Sequence, residues 1–119
     1  MNETKLQTEM DTLKLFLEEY CHANGHSFKE LQNFTCRHNN LVYSVDSTLC
    51  RECSELMRYS LVRLEACPHD IKPRCRKCPN PCYEKNEWKA LARIMRFSGL
   101  RLGLIELKKK VRDSLKRFI

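Results

Sequence analysis

The 119-residue sequence holds only three glycines and no apolar run approaching the roughly 18 residues that a membrane-crossing helix needs. So few glycines argue against a turn-rich β-sandwich. It also lacks a glycine-rich phosphate loop, an H-E-x-x-H pair and a nucleophile elbow, which removes the commonest nucleotide-binding, zinc-protease and hydrolase readings. Residues 1–17 carry Glu3, Glu9 and Asp11 and no small-residue cleavage site, so a secretory signal is not expected. A cytoplasmic location follows as the expectation, with thiols kept reduced.

What the chain has in excess is cysteine: eight residues, too many for a reduced protein to keep without a chemical use. Charge is unevenly spread. Residues 1–72 carry 8 Lys/Arg and 11 Asp/Glu, a net of −3, while residues 73–119 carry 14 and 4, a net of +10. The basic segment is suited to nucleic acid, an anionic membrane or an acidic protein partner, or simply to a solvated helix face.

The expected fold is mainly α: one small domain over 1–119 with about four helices and irregular cysteine-rich metal-binding loops. Leu6, Met10, Leu13 and Leu17 predict an amphipathic helix over Glu3–Cys21, stopped near Asn24-Gly25. Residues 27–48 are ambiguous. Phe28, Leu31 and Phe34 allow a helical turn, whereas Leu41–Val45 can be extended. A second helix, capped by Ser47 or Thr48, places Cys53, Met57, Ser60, Leu64 and Cys67 on one face and ends at Pro68. All four prolines fall within 68–83, so that segment reads as irregular. A third helix is expected over Glu84–Phe97, burying Trp88, Leu91, Ala92 and Met95 and closed by Ser98-Gly99. A basic C-terminal helix occupies 99–119, with Leu100, Leu104, Leu107, Val111, Leu115 and Phe118 aligned on its core side.

The cysteines sort into two sets. Cys50/Cys53 and Cys75/Cys78 both have the C-x2-C spacing that lets a tight turn or helix start aim two thiolates at one ion. A continuous helix from Cys53 to Cys67 would separate its ends by about 21 Å, at roughly 1.5 Å per residue, too far for one metal site. Cys67, Cys75, Cys78 and Cys82 therefore form a four-thiolate set within 16 residues. Cys50 and Cys53 need two further ligands. Cys21 with His22 or His26 is the leading choice, and Cys36 with His38 competes. The expected cofactors are zinc at two sites, or one zinc plus one [4Fe–4S] cluster at Cys67, Cys75, Cys78 and Cys82. Buried free thiols and disulfides are the bland alternatives.

From Leu49 onward the chain resembles the nitrous oxide-stimulated promoter family of small cysteine-rich prokaryotic proteins. The residues that carry the resemblance are Leu49-Cys50-x2-Cys53-x2-Leu56, Arg63-Leu64-x2-Cys67-Pro68, Lys72-Pro73-x-Cys75-x2-Cys78-x3-Cys82-Tyr83 and Ile94-Met95-Arg96-x-Ser98-Gly99-x-Arg101. Tyr20-Cys21 with a nearby histidine is similar to the family's N-terminal motif. Set against the family pattern, Pro81 stands where a histidine is usual, Leu100 stands where a proline is usual, and 27–48 resembles an insertion. The resemblance implies expression linked to nitrogen-oxide stress.

The function expected is a non-enzymatic metal-binding protein of the nitrosative or redox stress response, with no catalytic residues. Nucleic-acid binding through the C-terminal segment, aided by Arg74, Arg76 and Lys77, is the main alternative. A thiol-dependent redox enzyme using Cys50 beside Arg51 is the second, although no base and orienter are placed around Cys50 by sequence.

Overall fold

The structure, a computed structural model, describes residues 2–68, 78 and 82–116, with the side chains of 115 and 116 excepted. Among these the element order is helix α1 (Glu3–Ala23), strands β1 (Glu30–His38) and β2 (Leu41–Leu49), helix α2 (Arg51–Glu65) and helix α3 (Lys85–Lys116).

Helix α1 begins where the Asn2 side chain accepts the Lys5 amide at 2.8 Å, satisfying one of the free N–H groups of the first turn. It buries Leu6, Met10, Leu13, Leu17 and Cys21, the stripe its periodicity predicts continued by one residue. At its end Gly25 takes φ +63° and its N–H reaches the His22 carbonyl, while the His26 N–H reaches the Cys21 carbonyl, both at 3.1 Å. This is a Schellman motif, and glycine fits its left-handed position without a Cβ penalty.

The ambiguous segment 27–48 is a β-hairpin, not a helical turn. β1 and β2 pair antiparallel from Glu30↔Leu49 to His38↔Leu41, leaving Asn39 and Asn40 as the connection. Asn39 adopts φ +55°, a conformation asparagine tolerates in turns. Alternation then divides the side chains: Phe34, Cys36, His38, Val45, Ser47 and Leu49 are buried, and their neighbours along each strand face out. α1 lies against β2 and α2 mainly against β1. Ser47 donates to Glu18 at 2.7 Å on the first side, and Gln32 donates to Ser54 at 2.7 Å on the second.

α2 is capped by Cys50 rather than by Ser47 or Thr48, because β2 runs through both of those residues to Leu49. Its buried face holds the expected Cys53, Met57, Ser60 and Leu64 together with Ser54 and Leu61, whereas Cys67, expected on the same face, lies beyond the helix end at Glu65 and is half-buried. Its far end is tied to the hairpin tip, where the buried His38 ring lies 2.8 Å from the Cys67 carbonyl and the Arg37 amide donates to Glu65 at 2.9 Å.

The two C-terminal helices expected from Ser98-Gly99 are one. Ser98 is fully buried and donates to the Phe16 carbonyl at 2.7 Å, so it packs against α1 instead of capping. Gly99 does not take the left-handed conformation a C-cap needs, and α3 runs on to Lys116. Leu91 and Ile94 are core, whereas Leu100, Leu104, Leu107 and Val111 are exposed, contrary to the core role expected of them. The described molecule thus has three helices and a two-stranded sheet, not four helices. Most of the expected irregular segment 68–83 lies outside the described residues.

Candidate metal centre

Two helix ends and a loop meet at one point: the C-terminus of α1, the loop after it, and the N-terminus of α2. Cys21 occupies the last buried position of α1. The Schellman turn folds His26 back over it, so that the His26 ring joins the same side as the thiol. Cys50 and Cys53 lie at the cap and first turn of α2. The ligand atoms of Cys21, His26, Cys50 and Cys53 all lie within 4.8 Å of one another.

The His26 Nδ1 atom is 3.3 Å from the Cys50 sulfur and 3.6 Å from the Cys53 sulfur. A tetrahedral zinc ion with Zn–S of about 2.3 Å and Zn–N of about 2.0 Å has S···N edges of about 3.5 Å. These two distances match that edge, and with all four ligand atoms within 4.8 Å the set is close enough to be drawn onto a single tetrahedral ion.

The surroundings support the sulfurs. The Cys50 amide donates to the Cys21 sulfur at 3.4 Å, and the Cys53 amide donates to the Cys50 sulfur at 3.5 Å. Both sit at the N-terminus of α2, where the helix dipole favours negative charge. The Tyr20 ring meets His26 edge-on at 5.5 Å and meets Phe97 of α3 at the same distance, so α3 steadies the imidazole through one intervening ring.

Burial would raise the Cys50 thiol, but the hydrogen bonds from the Cys53 amide and thiol, the Cys21 thiol and the Glu52 amide outweigh it and hold it below its ordinary value. Cys21 is raised chiefly by burial, and Cys53 is raised strongly by burial and by the adjacent Cys50 and Cys21. Cys50 is thus the most readily deprotonated of the three sulfurs, and a bound cation would favour the thiolate at all three. Cys21 is fully buried and Cys53 nearly so, whereas a concavity of about 400 Å³ lined by His26, Ser27, Phe28, Cys50, Arg51 and Glu52 opens beside Cys50.

The other predicted ligands divide. His22 is exposed on α1 and is not brought to the centre, because it lies one residue, about 100°, around the helix from Cys21. Cys36 and His38 do not compete for this set: both are buried against the C-terminal half of α2, Cys36 beside the Leu61 carbonyl at 3.8 Å. Cys67 and Cys78 are half-buried and Cys82 is exposed, while Cys75 lies outside the described residues. None of the described cysteines is in a disulfide. What sequence reasoning left open, His22 or His26, could have been read from Gly25, since a glycine C-cap sends the next residue back over the helix end.

Among the described residues, three helices, a β-hairpin and a preassembled cluster of three cysteines and one histidine define a small cysteine-rich protein with a centre able to hold a metal ion. The chain belongs to the nitrous oxide-stimulated promoter family, whose model matches residues 4–112. No curated protein and no solved structure matches it. Among the described residues, no helix is long and apolar enough to cross a membrane.

Proposed function

We propose that the protein is a non-enzymatic zinc-binding protein of the cytoplasmic response to nitrogen-oxide stress, with zinc held by Cys21, His26, Cys50 and Cys53. The carrying observation is the convergence of those four ligand atoms within 4.8 Å. In a four-iron cluster each ligand sits on a different iron, which spreads the thiolates farther than ligands sharing one ion. A catalytic Cys–His pair needs only one sulfur, so the convergence of three favours metal binding over a thiol enzyme.

The link to stress rests on the family's name and on thiolate chemistry. The Cys50 sulfur, on the open side of the centre, attacks the nitrosyl nitrogen of a small S-nitrosothiol. The donor's S–N bond breaks, a new S–N bond forms at Cys50, and the donor leaves as its thiolate. Cys50 then no longer carries the negative charge that holds the ion.

The second set, Cys67, Cys75, Cys78 and Cys82, is proposed as a further zinc or [4Fe–4S] site. Its spacing supports it, as do the anchors on its two ends. The Cys67 carbonyl is held by His38, and the Cys82 carbonyl accepts from Arg63 at 3.5 Å.

The test is elemental analysis of anaerobically purified Cys75→Ser/Cys78→Ser protein, paired with zinc-edge X-ray absorption on the wild type. About one zinc per chain in the variant and sulfur–nitrogen scattering in the wild type are expected. Iron with matching sulfide in the variant, or sulfur-only zinc scattering, refutes the assignment. S-nitrosoglutathione should release the variant's zinc as free thiols disappear; retained zinc refutes the stress role.

A further inference from the structure

The second half of α3 extends past the core with an apolar stripe that nothing among the described residues covers. Leu100 is 72% exposed, and Leu104, Leu107 and Val111 are each more than half exposed. Their spacing of 4, 3 and 4 residues sets them within an arc of about 60°. Ile105, half exposed, lies off this stripe at about 140° from Leu100. The apolar side chains therefore form a narrow seam with one outlier, closer to a coiled-coil seam than to the broad continuous face of a helix lying in a membrane surface.

The charges are arranged around that seam. At 100° per residue, Arg101, Lys108 and Arg112 border it on one side and Arg96 and Lys110 on the other. Of the two acids of this stretch, Asp113 falls on the opposite face, while Glu106 lies behind Lys110 as its i,i+4 neighbour and farther from the seam. Arg101 is already engaged by Glu19 of α1, which fixes the root of the stripe against the core. A second copy of α3 would set basic flank against basic flank, which disfavours self-pairing. Nucleic acid would use the basic flanks and leave four aliphatic side chains in water.

We infer that the Leu100–Val111 face of α3 docks an amphipathic helix of another protein, one with aliphatic residues at its seam and Glu or Asp on both flanks. Aliphatic seams interdigitate as knobs into holes, and the acidic flanks meet Lys108, Lys110 and Arg112. This inference is independent of the metal centre.

The probe is a labelled synthetic peptide of about three heptads, with Leu at the seam and Glu at the flanks, titrated by fluorescence anisotropy with full-length zinc-loaded protein. Binding is expected, weakened at least about tenfold by Leu104→Gln/Leu107→Gln, two exposed positions whose change leaves the core intact. The same peptide with Lys flanks should not bind. No binding of the Glu peptide, equal binding of the Lys peptide, or an unchanged affinity for the double variant overturns the inference. So does a stable dimer in sedimentation that Leu104→Gln/Leu107→Gln dissolves. Duplex DNA or anionic vesicles that displace the Glu peptide, and whose own binding depends on Lys108 and Lys110 but not on Leu104 and Leu107, would also overturn it.

Discussion

Metal removal should lower the stability of this fold by about 4 kcal/mol, and two routes lead to that figure. If only the folded chain binds the ion, a free-metal level about a thousand times Kd stabilises it by about 4.1 kcal/mol. If instead the unfolded chain keeps the ion on Cys21, Cys50 and Cys53, the ion cross-links the unfolded chain, and the gain is the entropy cost of closing the Cys21-to-Cys50 loop there. That loop holds about 30 residues and the whole hairpin, and its closure is worth about 3.6 kcal/mol. For a chain of this length the unfolding entropy is about 0.25 kcal/mol/K, so the melting temperature should fall by about 15 °C. The assay is thermal circular dichroism at 222 nm on metal-loaded and chelated protein. Because the C-terminal cysteines can respond to the same chelator, His26→Ala is run beside the wild type. His26 is half-buried, and its loss removes only an edge-on contact with Tyr20 and weak contacts with two sulfurs, so the metal-free melting points should agree within about 3 °C. The metal-loaded melting points should separate, with the wild type higher. An equal gap in both states, or none in the loaded state, would refute the reasoning that the four side chains act together through a bound ion.

Replacing His22 by Ala should leave zinc stoichiometry and affinity unchanged, whereas His26→Ala should weaken affinity by more than about tenfold in a competition titration; the reverse order would place the wrong histidine in the centre. Gly25→Ala meets no atom within 4 Å but must hold φ +63°, so it should destabilise by about 1 kcal/mol, read as a drop of about 4 °C in melting temperature. An unchanged melting point would mean that the turn is not under that constraint. Burial, with Glu65 nearby, pushes the Cys36 thiol up from 9.0 to about 11. A raised folded value means the fold favours the neutral thiol, so its contribution is complete below pH 9 and is lost as pH rises through about 11. Cys36→Ala should therefore flatten the fall in stability between pH 9 and 11, and an equally steep fall in urea titrations would contradict that account.

Much of the candidate centre was legible in the sequence because its constraints are local. C-x2-C at a helix start and a glycine one turn after Cys21 are short-range signals, which set Cys50 beside Cys53 and His26 beside Cys21, while the intervening hairpin brings the two pairs together. Residues 30–49 were harder to read. Their alternation is clear once the Asn39-Asn40 turn is known, yet Phe28, Leu31 and Phe34 also satisfy a helical spacing, and a two-stranded sheet gains its stability only from the helices it packs on.

By itself the sequence determined where the helices α1 and α2 run, which of their faces are apolar, and which cysteines share a spacing. Tertiary structure alone decided that α3 continues through Ser98-Gly99, because Ser98 finds its partner on Phe16 of α1 rather than in its own backbone. It also decided that Cys36 and His38 serve the far end of α2, since strand register sends alternate residues to one face and hairpin pairing fixes how far along α2 they reach. The fate of the Leu100–Val111 stripe was settled the same way. Periodicity makes a face apolar, but only the position of the other elements determines whether anything is there to bury it.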